Sequence, residues 1–269
     1  MISLIVGCGS RQQPVGVQAA NQSSPRQGEA QPVVDPEERA LAEAKSALGR
    51  GGSPHDVIEP VYGLTRMHVA ARNGHVRLLR YLIDRGGDVE IPNTGGRGVG
   101  GETPLHWAST GDVVDLLLGN GADPVALGPA GQEPLASMAL RNRQSAVIRM
   151  VAHGTDVDAQ DSVFGNSVVI TACSGLTVEY GDPALDRYED RMAIIEHLVL
   201  HGANVNAQNH DAATALHVAA QYDARFVALL LRLGANPTVK DKNGKLPIDL
   251  SRESRLAEAV KLLEGAMKR

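Results

Sequence analysis

Short helical stretches alternate with polar turns along most of the chain, and the first clear stretch follows Asp35. Leu41, Ala44 and Leu48 recur three or four residues apart, which predicts one apolar face of a helix. Asp35 has the side chain of a helix N-cap, and the next residue is a proline that suits the first helical turn. The helix is expected to end at Gly49, and residues 35–62 are predicted to cap a larger domain.

A second pattern is copied along the chain. Residues 101–108 read Gly-Glu-Thr-Pro-Leu-His-Trp-Ala, and residues 63–71 and 212–220 repeat this arrangement of polar and apolar positions. The intervals between successive copies are 38, 30, 34, 47 and 32 residues. Such a period predicts stacked repeats rather than one globular core. The aligned starts of the copies are Gly63, Gly101, Gly131, Gly165, Ala212 and Gly244.

Each copy has the signals of two short helices. The threonine can cap the first helix, and proline fits its first turn. A glycine closes the second helix and supplies the positive φ of a C-terminal cap. Asp or Asn follows that glycine two residues later. The five closing glycines are Gly86, Gly121, Gly154, Gly202 and Gly234.

The Thr-Pro-Leu-His-x-Ala motif and the Gly-Ala-Asp/Asn helix ends resemble the ankyrin repeat over residues 36–269. The resemblance implies an all-α ankyrin solenoid of about five helix-turn-helix repeats with terminal caps, with the repeats in residues 63–269. It also implies that the motif histidines, His68, His106 and His217, form hydrogen bonds between neighbouring turns. The copy at 131 lacks the histidine, and the copy at 165 lacks proline and histidine. These two units are therefore predicted to be the weaker links of the stack.

Two insertions interrupt the period, near residues 91–101 and 175–190. The second is acidic, with two tyrosines, Tyr180 and Tyr188, and five carboxylates: Glu179, Asp182, Asp186, Glu189 and Asp190. Insertions in repeat proteins fall in loops, often on the binding side. The 91–101 insertion also contains a Gly-x-Gly-x-x-Gly match, but no strand precedes it, so a turn is the expected structure.

Composition narrows the function. The net charge is −5 and no basic block stands out, which argues against a nucleic-acid partner. The chain has two cysteines in unlike contexts, so neither a disulfide framework nor a metal site is expected. Aromatic residues make up 3% of the chain, which suits thin layers of small helices. No apolar run is long enough to span a membrane.

The N-terminal residues suggest a tether. Leu4-Ile5-Val6-Gly7-Cys8 resembles the lipobox of bacterial lipoproteins, in which the cysteine carries the lipid. Residues 1–8 are then a truncated signal segment, whose missing basic part would be explained by a start codon upstream of Met1. Residues 9–34 are polar and are predicted to form a disordered tether. The resemblance implies a lipid anchor at Cys8 in the cell envelope; the alternative is a frayed N-terminus on a cytoplasmic protein.

Candidate chemistry is sparse. His197 and His201 have the spacing of helix-borne metal ligands, but no H-E-x-x-H motif is present, and His201 suits a helix end. Cys173 is expected to be a buried apolar residue because no base can be paired with it. We therefore predict no catalytic residues, no metal and no cofactor. Trp107, the single tryptophan, is expected to pack between helices or to contact a partner.

The predicted function is a non-catalytic scaffold that binds a protein partner on the concave ankyrin surface and is expected to be a monomer. One alternative is an enzyme or enzyme accessory with a site in the acidic 175–190 insertion. Another is a soluble cytosolic adaptor with the same surface. The resemblance places the binding residues at turn tips and first helices, with Tyr180 in the insertion: Arg72, Asn73, Trp107, Phe164, Tyr180, His210, Gln221, Tyr222, Lys242 and Asn243.

Overall fold

A computed structural model describes residues 35–95, 100–174 and 188–268. The chain divides into two units, residues 1–34 and 35–269, and all of the described residues belong to the second unit. The predicted signal segment and tether, including Cys8, therefore lie outside the described residues. So do Tyr180 and most of the acidic insertion.

The regular secondary structure of the described residues is almost entirely helical, which confirms the predicted all-α class. One short antiparallel pair, β1 (Val57–Glu59) and β2 (Leu64–Thr65), precedes the second helix. The helices are α1 Pro36–Gly49, α2 Arg66–Asn73, α3 Val76–Asp84, α4 Gly111–Gly119, α5 Pro134–Leu140, α6 Gln144–Ala152, α7 Val168–Ser174, α8 Tyr188–Leu200, α9 Ala215–Tyr222, α10 Ala224–Arg232, α11 Pro247–Glu253 and α12 Ala257–Met267.

The helices after α1 form six successive units, numbered one to six, each with a first and a second helix. First helices pack on neighbouring first helices, as α5, α7, α9 and α11 do, and second helices pack on second helices, as α4, α6 and α8 do. No unit buries its apolar face alone, so the core runs through the whole stack. Its largest fully buried side chains include Met67, Leu79, Leu117, Met138, Met150, Ile170, Ile194 and Phe226.

Helix α1 begins as the sequence predicts. The Asp35 carboxylate accepts the backbone N–H of Glu37 at 3.0 Å, and the helix ends at Gly49. Ala44 is buried, and the helix packs on α3. Arg77 of α3 donates to the Glu37 carboxylate at 2.9 Å, which ties this capping helix to unit one.

The turn that precedes each first helix contains a residue with a left-handed backbone. At the six aligned starts of the repeated motif φ lies between 55° and 108°. Five of these residues are glycines, which adopt positive φ at little cost. The sixth is Ala212, with φ of 55°, so one unit holds a side-chain-bearing residue in the left-handed region.

Three motif histidines bridge neighbouring units, as the resemblance implies. In each unit the threonine N–H donates to the histidine Nδ1, at 3.3 Å for His68, 3.1 Å for His106 and 3.1 Å for His217. The Nε2–H then donates to a backbone carbonyl of the next unit, at 2.9 Å from His68 to Glu102 and 3.3 Å from His217 to Lys245. Burial lowers the pKa of His68 to about 4 and also lowers the pKa of the other two. The bridges are therefore neutral imidazoles.

Unit two departs from the expected helix pair. Its first helix is reduced to one 3-10 turn, Pro104–Trp107, and the chain enters α4 soon afterwards. The cause is a deletion, because the chain has three residues fewer between Thr103 and Gly121 than between Thr65 and Gly86. The Ser109 N–H donates to the Ala71 carbonyl of unit one at 3.2 Å, which holds the shortened segment against its neighbour.

The insertion in unit four is shorter than the predicted 175–190, because α8 already begins at Tyr188 and includes Glu189 and Asp190. Arg191, in the first turns of α8, is buried and donates to carbonyls near the ends of two first helices. Its Nη1 lies 2.8 Å from the Ala172 oxygen and 3.3 Å from the Leu140 oxygen. Within the described ranges no helix is both long and apolar enough to cross a bilayer.

Candidate protein-binding surface

Hairpin-like loops project between the units, and we call them finger loops. Finger loop one spans residues 57–65 and is closed by the β1–β2 pairing. The others are closed by backbone hydrogen bonds or bridges between their ends, at 93–102, 128–132, 160–167, 209–213 and 241–245. Neighbouring finger loops are joined directly. For example, the His210 N–H donates to the Phe164 carbonyl at 2.9 Å, and the Lys242 N–H donates to the Asp211 carbonyl at 2.8 Å.

Four of the predicted binding residues lie on the last three finger loops. Phe164 is 58% exposed at the tip of the loop that enters unit four. The His210 ring lies beside it, against Gly165, and its Nδ1 is 3.1 Å from the Val163 carbonyl oxygen. Lys242 forms an ion pair with Asp211, and Asn243 is exposed beside it. The structure thus brings these side chains into one connected row.

Four further predicted residues lie at the ends of first helices. Arg72 is not free, because its Nη1 donates to the Glu59 carboxylate of finger loop one at 2.7 Å. Asn73 beside it is exposed. Gln221 donates to the His217 carbonyl of its own helix at 3.2 Å, whereas Tyr222 is 47% exposed at the end of α9. Tyr222 is therefore the most accessible large side chain of the four.

Trp107 lies at the base of the surface rather than on it. It is 9% exposed, and its Nε1 has no hydrogen-bond partner among the described residues. The ring of Tyr62, from finger loop one, tilts against it with 6.2 Å between centroids. Arg141 covers it from unit three, with its guanidinium carbon 4.3 Å from the ring centroid. Tyr62 and Arg141 therefore cover the Trp107 ring.

A buried ion pair fills the space left by the shortened first helix of unit two. The Arg141 Nη2 donates to both carboxylate oxygens of Glu102, at 2.8 and 2.9 Å. Its Nη1 donates to the His106 carbonyl at 3.2 Å, an oxygen near the end of the 3-10 turn. Both side chains of the pair are largely buried. Glu102 and Arg141 were not predicted from the sequence, where their signal was the 30-residue interval after Gly101.

Two further accessible aromatic residues were not among the predicted binding residues. Tyr62 is 49% exposed on finger loop one, next to exposed Val61. Tyr188 begins α8 and is exposed, with Arg225 above its ring at 4.2 Å to the centroid. Both stand outside the repeated motif, where no periodic pattern marks them.

The reactive residue types lie in unreactive settings. Cys173 is fully buried, and burial raises the pKa of its thiol to about 12. The His197 and His201 rings are 4.1 Å apart, but the His201 Nδ1–H donates to the His197 carbonyl. In the parts of the chain that the structure describes, no three metal-binding side chains come together. An active site in the acidic insertion stays a prediction, because residues 175–187 lie outside those parts.

Comparison with known proteins gives a consistent picture. A family model described as ankyrin repeats in three copies matches residues 42–128 and 185–267. The B-cell lymphoma 3 protein homolog of Mus musculus is 26% identical over 60% of this chain and 42% of its own length. Human NF-kappa-B inhibitor zeta is 27% identical over 76% of this chain and 27% of its own.

A putative ankyrin repeat protein of Borreliella burgdorferi is 40% identical over 27% of this chain and 18% of its own length. The chain thus spans less than half the length of each of these three relatives. The family model covers more than half of the chain, in the same residues that form the stacked helix pairs. The protein belongs to the ankyrin repeat family.

Proposed function

We propose that the protein is a non-catalytic scaffold that binds a protein partner through its finger loops and first helices. The observation that carries this proposal is the placement of Phe164, Tyr222 and Tyr62 as half-exposed aromatic side chains on a rigid, repeated framework. Tyrosine and other aromatic residues are favoured in protein interfaces because they contribute large contact areas with little loss of side-chain entropy.

The framework makes these residues effective because its neighbouring loops are already bonded to each other. Backbone hydrogen bonds join the loops that carry Phe164 and His210, and those that carry Asp211 and Lys242. Binding of a partner therefore costs little free energy for ordering this surface. The relatives support an interaction role, since NF-kappa-B inhibitor zeta is named for its effect on another protein.

The test is site-specific photo-crosslinking in the cells that produce the protein. A photo-crosslinking amino acid is placed at position 164 or 222, and a matched control carries it at Ile148, an exposed apolar residue of second helix α6. We expect a discrete partner band from positions 164 and 222 and none from 148. The double variant Phe164→Ala/Tyr222→Ala should lose that partner while keeping its helical circular dichroism. Equal cross-linking from position 148 would contradict the proposal.

We also propose that Cys8 anchors the protein by a lipid to the cell envelope and that the protein is a monomer. The anchor is supported by the lipobox-like Leu4–Cys8 segment and by the polar composition of residues 9–34. Cell fractionation with mass spectrometry of the mature N-terminus tests it, with Cys8→Ser as control. A soluble protein that retains Met1 would favour the cytosolic adaptor. Light scattering after size exclusion measures the oligomeric state.

A further inference from the structure

A second surface runs along the turns that follow the second helices. Each turn begins with Asp or Asn, and its side chain accepts the backbone N–H two residues later. These bonds measure 2.9 Å at Asp88, 3.0 Å at Asp123, 2.9 Å at Asp156 and 2.9 Å at Asn236. Asn204 does the same in the turn of unit four. This local bond fixes the turn and needs only a side-chain oxygen.

The residue two positions after this Asp or Asn can also bond to the turn of the next unit, because its side chain accepts a backbone N–H there. The Glu90 carboxylate accepts the Asp123 N–H at 2.9 Å, and the Asp158 carboxylate accepts the Asn204 N–H at 2.6 Å. In the later units Asn206 accepts the Asn236 N–H at 2.8 Å. The side chains therefore form a row that crosses the units, and three of its four junctions between turns carry such a bond.

This row changes its charge along the stack. In the turns after units one to three it contains five carboxylates, whereas the turns after units four and five use asparagine and threonine at the same positions. Because asparagine makes the same hydrogen bonds in the later units, the negative charge of the earlier ones is not required by the fold. We call the charged part the acidic row: Asp88, Glu90, Asp123, Asp156 and Asp158.

The charges of the acidic row act against each other. Burial raises the pKa of Glu90, and the carboxylates of Asp123 and Asp88 raise it further. Glu133 at the start of α5 also has a raised pKa through burial and through Asp156 and Asp123. Across the described residues, the ion pairs of lysine and arginine all go to other carboxylates. Within the described residues, the carboxylates of the acidic row thus form no ion pair with lysine or arginine.

Two exposed apolar side chains interrupt the acidic row. Val125 occupies the position of Glu90 and Asp158 but cannot accept a hydrogen bond, and it is 48% exposed. Leu127, two residues later, is 63% exposed. The corresponding positions in the turns after units three and four carry polar residues, such as Gln160. An apolar pair is therefore placed between unneutralised carboxylates on one outer face.

We propose that the acidic row and its apolar pair, Val125 and Leu127, form a docking surface for a basic, extended segment of a partner protein. Lysine or arginine side chains of that segment would meet the carboxylates, and an aliphatic side chain between them would cover the apolar pair. Charge complementarity selects this occupant, since the uncompensated carboxylates repel acidic segments and attract basic ones. The surface is separate from the finger-loop residues of the proposed function.

The test uses a short fluorescent peptide that repeats lysine, leucine, lysine and glycine, titrated with the whole protein and followed by anisotropy. The variant Asp88→Asn/Asp123→Asn/Asp156→Asn keeps the turns, because Asn204 and Asn236 make the same bonds in the native chain. The control Glu43→Gln/Glu196→Gln/Glu264→Gln removes three carboxylates that are already paired with Arg39, Arg232 and Arg252, away from the finger loops. Both variants change the net charge equally.

We expect the acidic-row variant to weaken peptide binding by about tenfold or more, while the control retains the affinity within about twofold. A second variant, Val125→Asn/Leu127→Gln, should weaken this peptide but leave unchanged a peptide with glycine in place of leucine. Equal losses in both charge variants, or no binding by the native protein, would overturn the proposal. Circular dichroism melts of each variant confirm folding. Photo-crosslinking at position 164 tests the finger-loop surface and does not depend on the acidic row. A failure of the docking proposal can therefore be told apart from a failure of the proposed function.

Discussion

Arg141 stacks on Trp107 while it forms both hydrogen bonds with the buried carboxylate of Glu102. The arrangement replaces the helical turn that unit two lacks. The guanidinium donates a hydrogen bond to a carbonyl near the end of the 3-10 turn and covers the indole ring. One side chain of unit three therefore completes the first helix of unit two.

The variant Arg141→Met should be strongly destabilised. Methionine retains an unbranched apolar chain over the indole ring, but the Glu102 carboxylate is left buried without its ion pair, at a cost of about 3 kcal/mol in the free energy of unfolding. Trp107 is the single tryptophan, so urea unfolding followed by its fluorescence reports on this site. The double variant Glu102→Gln/Arg141→Met should recover part of the loss. A single-variant loss below about 1 kcal/mol, typical of an exposed pair, would contradict this reading.

Ala212→Gly should stabilise the protein. Alanine at φ of 55° carries a steric cost of about 1–2 kcal/mol in the folded state, which glycine removes. Glycine also raises the conformational entropy of the unfolded chain, which offsets part of this gain. We expect a net gain of up to about 1 kcal/mol in the free energy of unfolding, measured by urea titration. The neighbouring Ala213→Gly is the control and should destabilise, since Ala213 is not among the residues with positive φ.

The reverse substitution tests the same backbone position in unit six. Gly244 has φ of 77°, and an added Cβ would meet no atom within 4 Å, so only the backbone conformation is at stake. Gly244→Ala should therefore lose about 1 kcal/mol, again by urea titration. A loss in Ala212→Gly would show that contacts of the Ala212 methyl group outweigh its backbone strain, and no loss in Gly244→Ala would contradict the φ argument.

The protein should lose stability in mild acid through its histidine bridges. Burial lowers the pKa of His68 to about 4 in the folded chain, from an ordinary value of 6.5. As the pH falls, His68 is therefore protonated in the unfolded chain before it is protonated in the folded chain. The contribution of neutral His68 to the free energy of unfolding is complete above pH 6.5 and falls as the pH is lowered toward 4. We expect a contribution of about 2 kcal/mol to be lost between pH 7 and pH 4.5.

Urea titrations at the two pH values measure this loss in the native protein and in His68→Gln. The variant should be less stable at pH 7 but should show a smaller change with pH, because the titrating ring is gone. Carboxylates with lowered pKa, such as Asp223, act in the same direction and remain in both proteins. An unchanged pH dependence in His68→Gln would assign the acid loss to the groups that remain, namely those carboxylates and the buried His106 and His217.

Cys173 should not react in the folded protein. Burial raises the pKa of its thiol to about 12, and neither thiolate nor reagent access is available at neutral pH. In the variant Cys8→Ser, where Cys173 is the remaining thiol, a chromogenic disulfide reagent should label the protein only after denaturant is added. Rapid labelling without denaturant would show that unit four opens in the native state.

Sequence periodicity predicted the elements that depend on local signals. The Asp35 cap and the positive φ of the five glycines that close the second helices follow from short-range geometry, and residues within one motif reveal them. The histidine bridges were implied by the resemblance to the ankyrin repeat. The shortened helix of unit two and the pairing of Arg141 with Glu102 depend on residues 39 positions apart. No local pattern connects such residues, and the short interval after Gly101 is the only sign in the sequence that the first helix of unit two is incomplete.

The same limit applies to the binding surface. The register placed Phe164 and Tyr222 at exposed positions, but it also included Arg72, which the structure pairs with Glu59, and Trp107, which is buried beneath Arg141 and Tyr62. Exposure depends on which neighbouring side chain covers a position. Units that share one motif differ in that respect, because their insertions and deletions move the covering residues.

The three histidine bridges are distributed unevenly. They link units one, two and three, and they link unit five to unit six, but Ala136 and Ile170 occupy the histidine position in units three and four. In a linear stack, each junction contributes its own resistance to separation. If the two ends of the folded domain were drawn apart mechanically, we would expect the stack to rupture around unit four. An N-terminal block of three units and a C-terminal block of two would then persist as separate load-bearing pieces.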